Sequence, residues 1–252
     1  MTPGTAALLA VAGLAAGAVN AVAGGGSLIS FPALLAAGYP SVTANVTNTV
    51  ALFPGYAGAV VGGLTELEGQ GVRIRSVLIT GVVGACLGAL LLLTTSGDVF
   101  RRIVPFLILL ACLLLVLQPR LARAVQGRQE AGTQGVGVAL QVGVLLAAVY
   151  GAYFGAGLGV MLLGILGVLL HDRLQRVNAL KNVLSLIINT VALVAFGIFG
   201  PVAWDAVVVI ASASLVGGYG GARVARRIPA TALRVGVVLY GVTVAVVLLV
   251  RG

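Results

Sequence analysis

The chain has 252 residues, 60% of them hydrophobic and only 8% charged, with a formal net charge of +9. Soluble domains carry roughly 25% charged residues, and so few polar side chains cannot cover a globule of this size. An ordinary soluble enzyme, a nucleic-acid-binding domain and a disordered chain are excluded, which leaves a polytopic protein of the lipid bilayer.

Helices and closed barrels alone satisfy every backbone group in lipid, and the apolar runs here are continuous rather than alternating, so the spans are helices. They are expected at 5–23, 27–38, 43–63, 75–93 and 99–117, then, after an Arg-bearing loop over 118–135, at 136–154, 158–170, 177–199, 203–221 and 234–250. The expected fold is all-α: one integral membrane domain over 1–252, with eight long helices and two short ones, 27–38 and 158–170. At 1.5 Å per residue the short ones reach only roughly 18–20 Å, against a hydrocarbon core of about 30 Å. They are broken or re-entrant half-helices, each introduced by glycines. The first run could pass for a signal peptide, since Ala21-Val22-Ala23 resembles a cleavage site, but it has no basic leading region; it is taken as part of the fold.

The first break is NAVAGGGSLISFP, Asn20 to Pro32. Gly24, Gly25 and Gly26 free the backbone from helical geometry, and Ser27 suits a helix cap. The N-terminus of such an arm presents unpaired N–H groups and a positive dipole end, which suit an anion. Close helix packing is the competing role for these glycines. A full span over 5–23 would leave Gly24–Gly26 near a surface unless the helix tilts or starts outside. The next helix opens with Thr43, Asn45, Thr47 and Asn48, Asn45 and Asn48 sharing a face. Glu66 and Glu68 stand near Arg73 and Arg75, as local charge pairs. Cys86 and Cys112 lie in apolar runs as small core residues.

The second half repeats the scheme. Tyr150 and Tyr153 flank a break carrying Gly155, Gly157 and Gly159, and the following helix opens with Asn178, Lys181, Asn182 and Ser185 on one face. Amides and hydroxyls can donate to an oxyanion, and Lys181 adds a full charge; an ionisable residue inside a span is a functional candidate, although snorkelling beside Arg173 and Arg176 competes. His171-Asp172 reads as a solvated turn, and Asp205 beside Trp204 as an interfacial anchor. One His and six acids leave little from which to build a metal cluster or paired carboxylates, so no metal, cofactor or catalytic residue is expected.

Two regularities bind the halves. At an offset of 134, Gly17-Ala18 pairs with Gly151-Ala152, Gly25 with Gly159, Leu28 with Leu162, Asn48 with Asn182 and Gly63 with Gly197. At 133 the match resumes, with Gly84 on Gly217, Gly88 on Gly221 and Arg101 on Arg234. The repeats are thus 1–117 and 136–252, joined by a cytoplasmic linker over 118–135. If each short arm returns the chain to the side it came from, twelve cations, in the loops 64–75, 118–135, 171–181 and 222–234, share one face, against Arg101, Arg102 and Arg251 on the other. Otherwise the split is nine against six. The stronger bias puts both termini outside, and an odd number of passes per half inverts the repeats, a frequent build of secondary transporters.

The stretch G-x-x-N-A-V-A-G-G-G-S-L-I-S-F-P (Gly17–Pro32) followed by T-A-N-V-T-N-T-V (Thr43–Val50) resembles the TauE/SafE sulfite exporter family, also called the toluenesulfonate uptake permease family. G-A-Y-F-G-A-G-L-G-V and N-A-L-K-N-V in the second half are also typical of it. The resemblance covers nearly the whole chain. It implies a permease of the bacterial inner membrane for a small sulfur-containing anion such as sulfite, a sulfonate or sulfoacetate. It points to Asn20, Gly24, Gly25, Gly26, Asn45, Asn48, Gly155, Gly157, Gly159, Asn178, Lys181 and Asn182. The expected partners are therefore a small anionic solute and the bilayer, with no nucleic acid; a homodimer is compatible with the size but marked by no feature. An anion channel and a non-transporting membrane scaffold are the alternatives, and an enzyme lacks the groups it would need.

Overall fold

The computed structural model describes residues 1–22, 25–61, 63–126, 137–170, 172–224 and 230–251, with the side chains of 21–22, 125–126, 219–224, 230 and 251 not described. Gly24, His171, Arg128, Arg226 and Arg227 lie outside the described residues. The described residues form ten α-helices and no strand: α1 (Pro3–Val22), α2 (Ser27–Ala36), α3 (Ser41–Val61), α4 (Gly71–Thr94), α5 (Gly97–Gln126), α6 (Val138–Tyr153), α7 (Leu158–Leu169), α8 (Leu174–Phe199), α9 (Trp204–Val224) and α10 (Ala230–Arg251). A 3₁₀ turn, Leu64–Leu67, joins α3 to α4. This is the polytopic helical fold that composition predicts.

Five of the helices, α1, α4, α5, α8 and α10, are long and apolar enough to cross a bilayer on length and composition alone. The α3 helix has 21 residues, enough for roughly 31 Å, but a polar face lowers its hydropathy. With 10 and 12 residues, α2 and α7 are the expected short arms. Two elements depart from expectation. The α6 helix has only 16 residues. The α5 helix runs on through Pro119 to Gln126, into the stretch expected as loop. Leu121 gives that extension an apolar contact: a Cβ built on Gly164 of α7 would lie 3.1 Å from it, so the last turns of α5 pack rather than fray.

Contacts between the ends reveal the path of the chain. The Met1 ammonium stands 3.9 Å from Asp205 Oδ2, and the Tyr39 hydroxyl donates to the same oxygen. Hence α1 and α2 form a hairpin that returns to its starting end. Ser41 donates to the Gly97 carbonyl at that end. At the opposite end Gln70 donates to the Arg176 carbonyl at 3.1 Å, and Asp172 bridges Arg73 (2.5 Å) and Arg176 (3.3 Å). The loops near 64–75 and 172–176 therefore share an arginine-rich end, and the turns near 39, 96 and 205 share the Asp205 end. Arg73 is committed to Asp172, not to Glu66 or Glu68, so both local readings, the Glu–Arg pairs and the solvated turn, are corrected.

Helix packing is symmetric under exchange of α1–α5 with α6–α10. The two most intimate pairings, α1 with α9 and α4 with α6, are exchange mates. So are α3 with α9 and α4 with α8, and also α2 with α10 and α5 with α7, while α3 with α8 and α5 with α10 map onto themselves. Glycines close the two tightest seams: a Cβ on Gly13 would fall 3.0 Å from the Ile210 carbonyl oxygen of α9, and one on Gly84 2.8 Å from the Leu145 carbonyl oxygen of α6. Backbones approach this closely only where side chains are absent. Buried leucines, alanines and valines fill the centre, while Val11, Ile79, Leu90, Phe106, Leu146, Val208 and Leu239 are exposed around the outside, as lipid-facing side chains are.

Candidate functional site

The two glycine breaks differ in how their backbones are satisfied. In the first, Asn20 Oδ1 accepts from both Gly25 N (3.1 Å) and Gly26 N (3.3 Å), so α1 caps the start of α2. Gly26 packs on the main chain of Ala16, where a Cβ would lie within 3.0 Å of its carbonyl carbon. Ala16 is six residues before the end of α1, roughly 9 Å along the axis. Gly26 thus lies back beside the helix instead of at a surface, which answers for Gly26 the question of depth left open by the sequence. In the second break Gly155 and Gly157 both take φ +79, a left-handed conformation that favours glycine. There α7 begins with no side-chain cap at all.

Both breaks open on one cavity of about 680 Å³. Among its lining residues are Asn20, Gly25, Ser27, Gly155, Gly157, Gly159, Asn178, Lys181 and Asn182. The structure thereby brings together nine of the residues that the sequence singles out. Lys181 extends along α7: a Cβ on Gly159 would lie 3.9 Å from its Nζ. None of the three ion pairs among the described residues includes Lys181. One turn further along α8, Ser185 Oγ lines the cavity, is 2% exposed and has no hydrogen-bond partner. An ammonium and a buried hydroxyl, each without an acceptor, thus converge with a helix start that no side chain caps, its Leu158 and Val160 N–H groups donating to the Gly155 and Gly157 carbonyls. Such a set suits an anion. Asn182 Nδ2 is engaged with the Ala59 carbonyl at 3.2 Å.

Gly26, Asn45 and Asn48 do not line the cavity. They belong to a dry layer on its Asp205 side. Ser30 Oγ donates to Asn48 Oδ1 at 2.5 Å, and Asn45 Nδ2 to the Tyr153 carbonyl at 2.9 Å. Asn45 and Asn48 are 1% and 2% exposed. Phe31 meets Phe154 edge-on at 5.4 Å, and Phe100 meets Tyr153 at 5.6 Å. Thr47 is occupied as well, accepting from Ala203 N at 3.0 Å. So the stripe on α3 is buried among protein partners, with Asn45 Oδ1 left unpaired, whereas its mate on α8 lines the cavity. Tyr150 and Tyr153 also stay out of the cavity; the Tyr150 hydroxyl donates to the Ala156 carbonyl at 2.6 Å and braces the second break.

Sequence reasoning missed Tyr56, Gln118 and Ser214 on the cavity wall. Pro54-Gly55 inside α3 was an available signal, since proline in a helix interior removes a backbone hydrogen bond and bends it; Tyr56 follows directly. Gln118 had no such mark. It accepts from Arg234 Nε of α10 at 3.3 Å, which sets a second cation near the arginine-rich mouth.

A helical bundle broken twice around a central cavity is a build that recurs among membrane transporters. The model of the family described as Sulfite exporter TauE/SafE matches residues 9–248, and the chain belongs to that family. It is 30% identical over 223 residues to a probable membrane transporter protein of Haemophilus influenzae, covering 86% of this chain and 84% of that one. It is similarly 30% identical over 217 residues to the probable membrane transporter protein YfcA of Escherichia coli K12, covering 84% and 76%. A probable membrane transporter protein, ORF9, of a Sinorhizobium species is 35% identical over 118 residues, 46% of this chain and 44% of its own. No solved structure gives a significant match.

Proposed function

We propose that this chain is a secondary permease of the bacterial inner membrane that moves a small sulfur-containing oxyanion, such as sulfite, a sulfonate or sulfoacetate. The anion sits against the start of α7, with Lys181 as counter-charge and Ser185, Asn178 and Asn20 as nearby polar groups. The observation that carries this reading is the lone ammonium of Lys181 beside an uncapped helix start in a cavity of about 680 Å³. An isolated charge at membrane depth is costly and calls for a partner, and among the described residues no carboxylate lines this cavity. The two halves, 1–117 and 136–252, act as inverted repeats; the arginine-rich end faces the cytoplasm and both termini lie outside. A carrier is favoured over a channel by the dry layer of Ser30, Asn45, Asn48, Phe31 and Phe154, which closes the cavity toward the Asp205 end.

Thermal melting of the purified protein with sulfite, sulfate, thiosulfate, sulfonates and carboxylates tests the reading. A bound anion at 100 times its dissociation constant stabilises by about 2.7 kcal/mol. At least one sulfur oxyanion should raise the melting temperature, and Lys181→Gln should remove that rise while the apo protein melts as before. A panel with no shift for any anion, or a shift that survives Lys181→Gln, defeats the proposal.

A further inference from the structure

We propose that Lys181 is also the coupling group: it takes up one proton with each monovalent anion and releases it after the anion leaves, so that the pair crosses without net charge. This inference rests on the anion site proposed above and concerns what drives it.

The composition of the chain supplies the first observation. Of 15 cationic side chains only Lys181 is a lysine; every other is an arginine. Arginine stays charged in proteins, whereas a buried lysine can shed its proton. Among the described residues, the one cation lining the cavity is thus the one able to discharge.

The second observation is the lack of any resident counter-charge among the described residues. Glu66 and Glu68 lie at the 3₁₀ turn, Asp98 and Asp205 in the first turns of α5 and α9, and Asp172 between Arg73 and Arg176. None lines the cavity. The elements around Lys181 bring few other titratable groups. From α3 comes Tyr56, on the same wall. From α4 comes Arg73, held by Asp172. From α6 come Tyr150 and Tyr153, whose hydroxyls face Ala156 and Thr95. The α7 helix brings none. Arg120 and Arg123 of α5, and Arg234 of α10 on Gln118, stand toward the arginine-rich mouth.

A carrier must close around its site twice per cycle, once loaded and once empty. Loaded, the ammonium and a monoanion neutralise one another. Empty, an ammonium shut into low dielectric has no partner, a state that costs too much to populate. Deprotonation removes the cost. The balance is simple: on the loading side the Nζ lone pair takes a proton from hydronium, one O–H bond breaking as the N–H bond forms, and on the unloading side that N–H bond breaks as a water oxygen takes the proton, re-forming hydronium. A dianion would leave one negative charge unbalanced in the closed chamber, so the coupling narrows the proposed cargo to monoanions such as hydrogen sulfite and simple sulfonates, with sulfoacetate, a dianion near neutral pH, moved poorly.

The test uses the full chain in liposomes that enclose a pH-sensitive dye. The probe is methanesulfonate, a strong-acid anion that carries no proton through lipid by itself. An inward gradient should acidify the lumen, one proton per anion, at a rate unchanged by a potassium–valinomycin potential. Sulfate should move poorly. Lys181→Arg, which binds the anion but cannot discharge, should show measurable exchange of labelled for unlabelled methanesulfonate while net flux falls at least about a hundredfold. Anion flux that follows the potential without acidification overturns the coupling, as does net flux in Lys181→Arg at the wild-type rate. If Lys181→Arg fails to fold, the dye and potential measurements on the wild type decide alone. Neither flux nor thermal shift with any sulfur oxyanion sinks the anion site itself, and the coupling with it.

Discussion

Asp172 illustrates how single side chains hold this molecule. Burial alone would push its carboxyl up, but hydrogen bonds from Arg73, the Arg173 backbone N–H and Arg176 outweigh it and hold the group below the usual carboxylate range. A carboxylate lowered on folding stabilises above its unfolded value, about 3.9, and that contribution fades as pH falls through the folded value. Melting in detergent should therefore weaken on acidification more for the wild type than for Asp172→Asn. Near neutral pH the variant should lose about 1–3 kcal/mol; equal melting of the two proteins at pH 7 would show that the clamp is idle. The sequence could not disclose this clamp, because Arg73 and Asp172 are 99 positions apart and only helix packing makes them neighbours. Lys181, Asn178 and Asn182 were legible because polar groups stand out in apolar runs. Asn45 and Asn48 stood out equally, yet they seal a layer. Polarity marks a buried residue as consequential without saying whether its partner is solute or protein.

Among the helices, the glycine seams are the elements most open to test. A methyl on Gly84 would meet the Leu145 carbonyl of α6 and Ala148 Cβ at 2.7 Å, and one on Gly13 would meet Ala213 and Ile210 of α9 at 3.0 Å. Overpacking of this kind costs about 1–3 kcal/mol. Gly84→Ala should lower the melting temperature, while Gly236→Ala, which faces open space, should leave it unchanged; equal melting of the two variants would mean that the seam gives way. The short arms were legible from length, and Gly84 and Gly88 from the repeat. The partner helices were not, since a pairing of α4 with α6 rather than with its sequence neighbours depends on the whole bundle. The run of α5 past Pro119 was hidden because polar Gln118, Arg120 and Arg123 resemble a loop; the contact of Leu121 with Gly164 decides otherwise.

For the molecule as a whole, the path of the chain follows from where its ends meet. The hairpin of α1 and α2 returns to Asp205, and an odd number of passes in each half then puts the end of α10 on the same side as Met1. With arginines retained in the cytoplasm, alkaline phosphatase fused after Gly252 should be active and a green fluorescent protein at the same point dark. The reverse pattern would turn the molecule over. Charge bias and hydrophobic run lengths make this topology an expectation of the sequence, and the fusions are its test. The sealed layer at one end and the wet cavity at the other were not readable, because both repeats carry similar motifs and only packing breaks their equivalence.

The seams also bear on how such a scaffold can change over generations. Where main chain rests on main chain, mutation can only pry apart, never tune. On the proposed anion site, novelty in cargo arises on the cavity walls, so a randomised library confined to the wall residues of α3, α7 and α8 should yield altered selectivity far more often than one spread over α4 and α6, which contribute no described residue to the cavity.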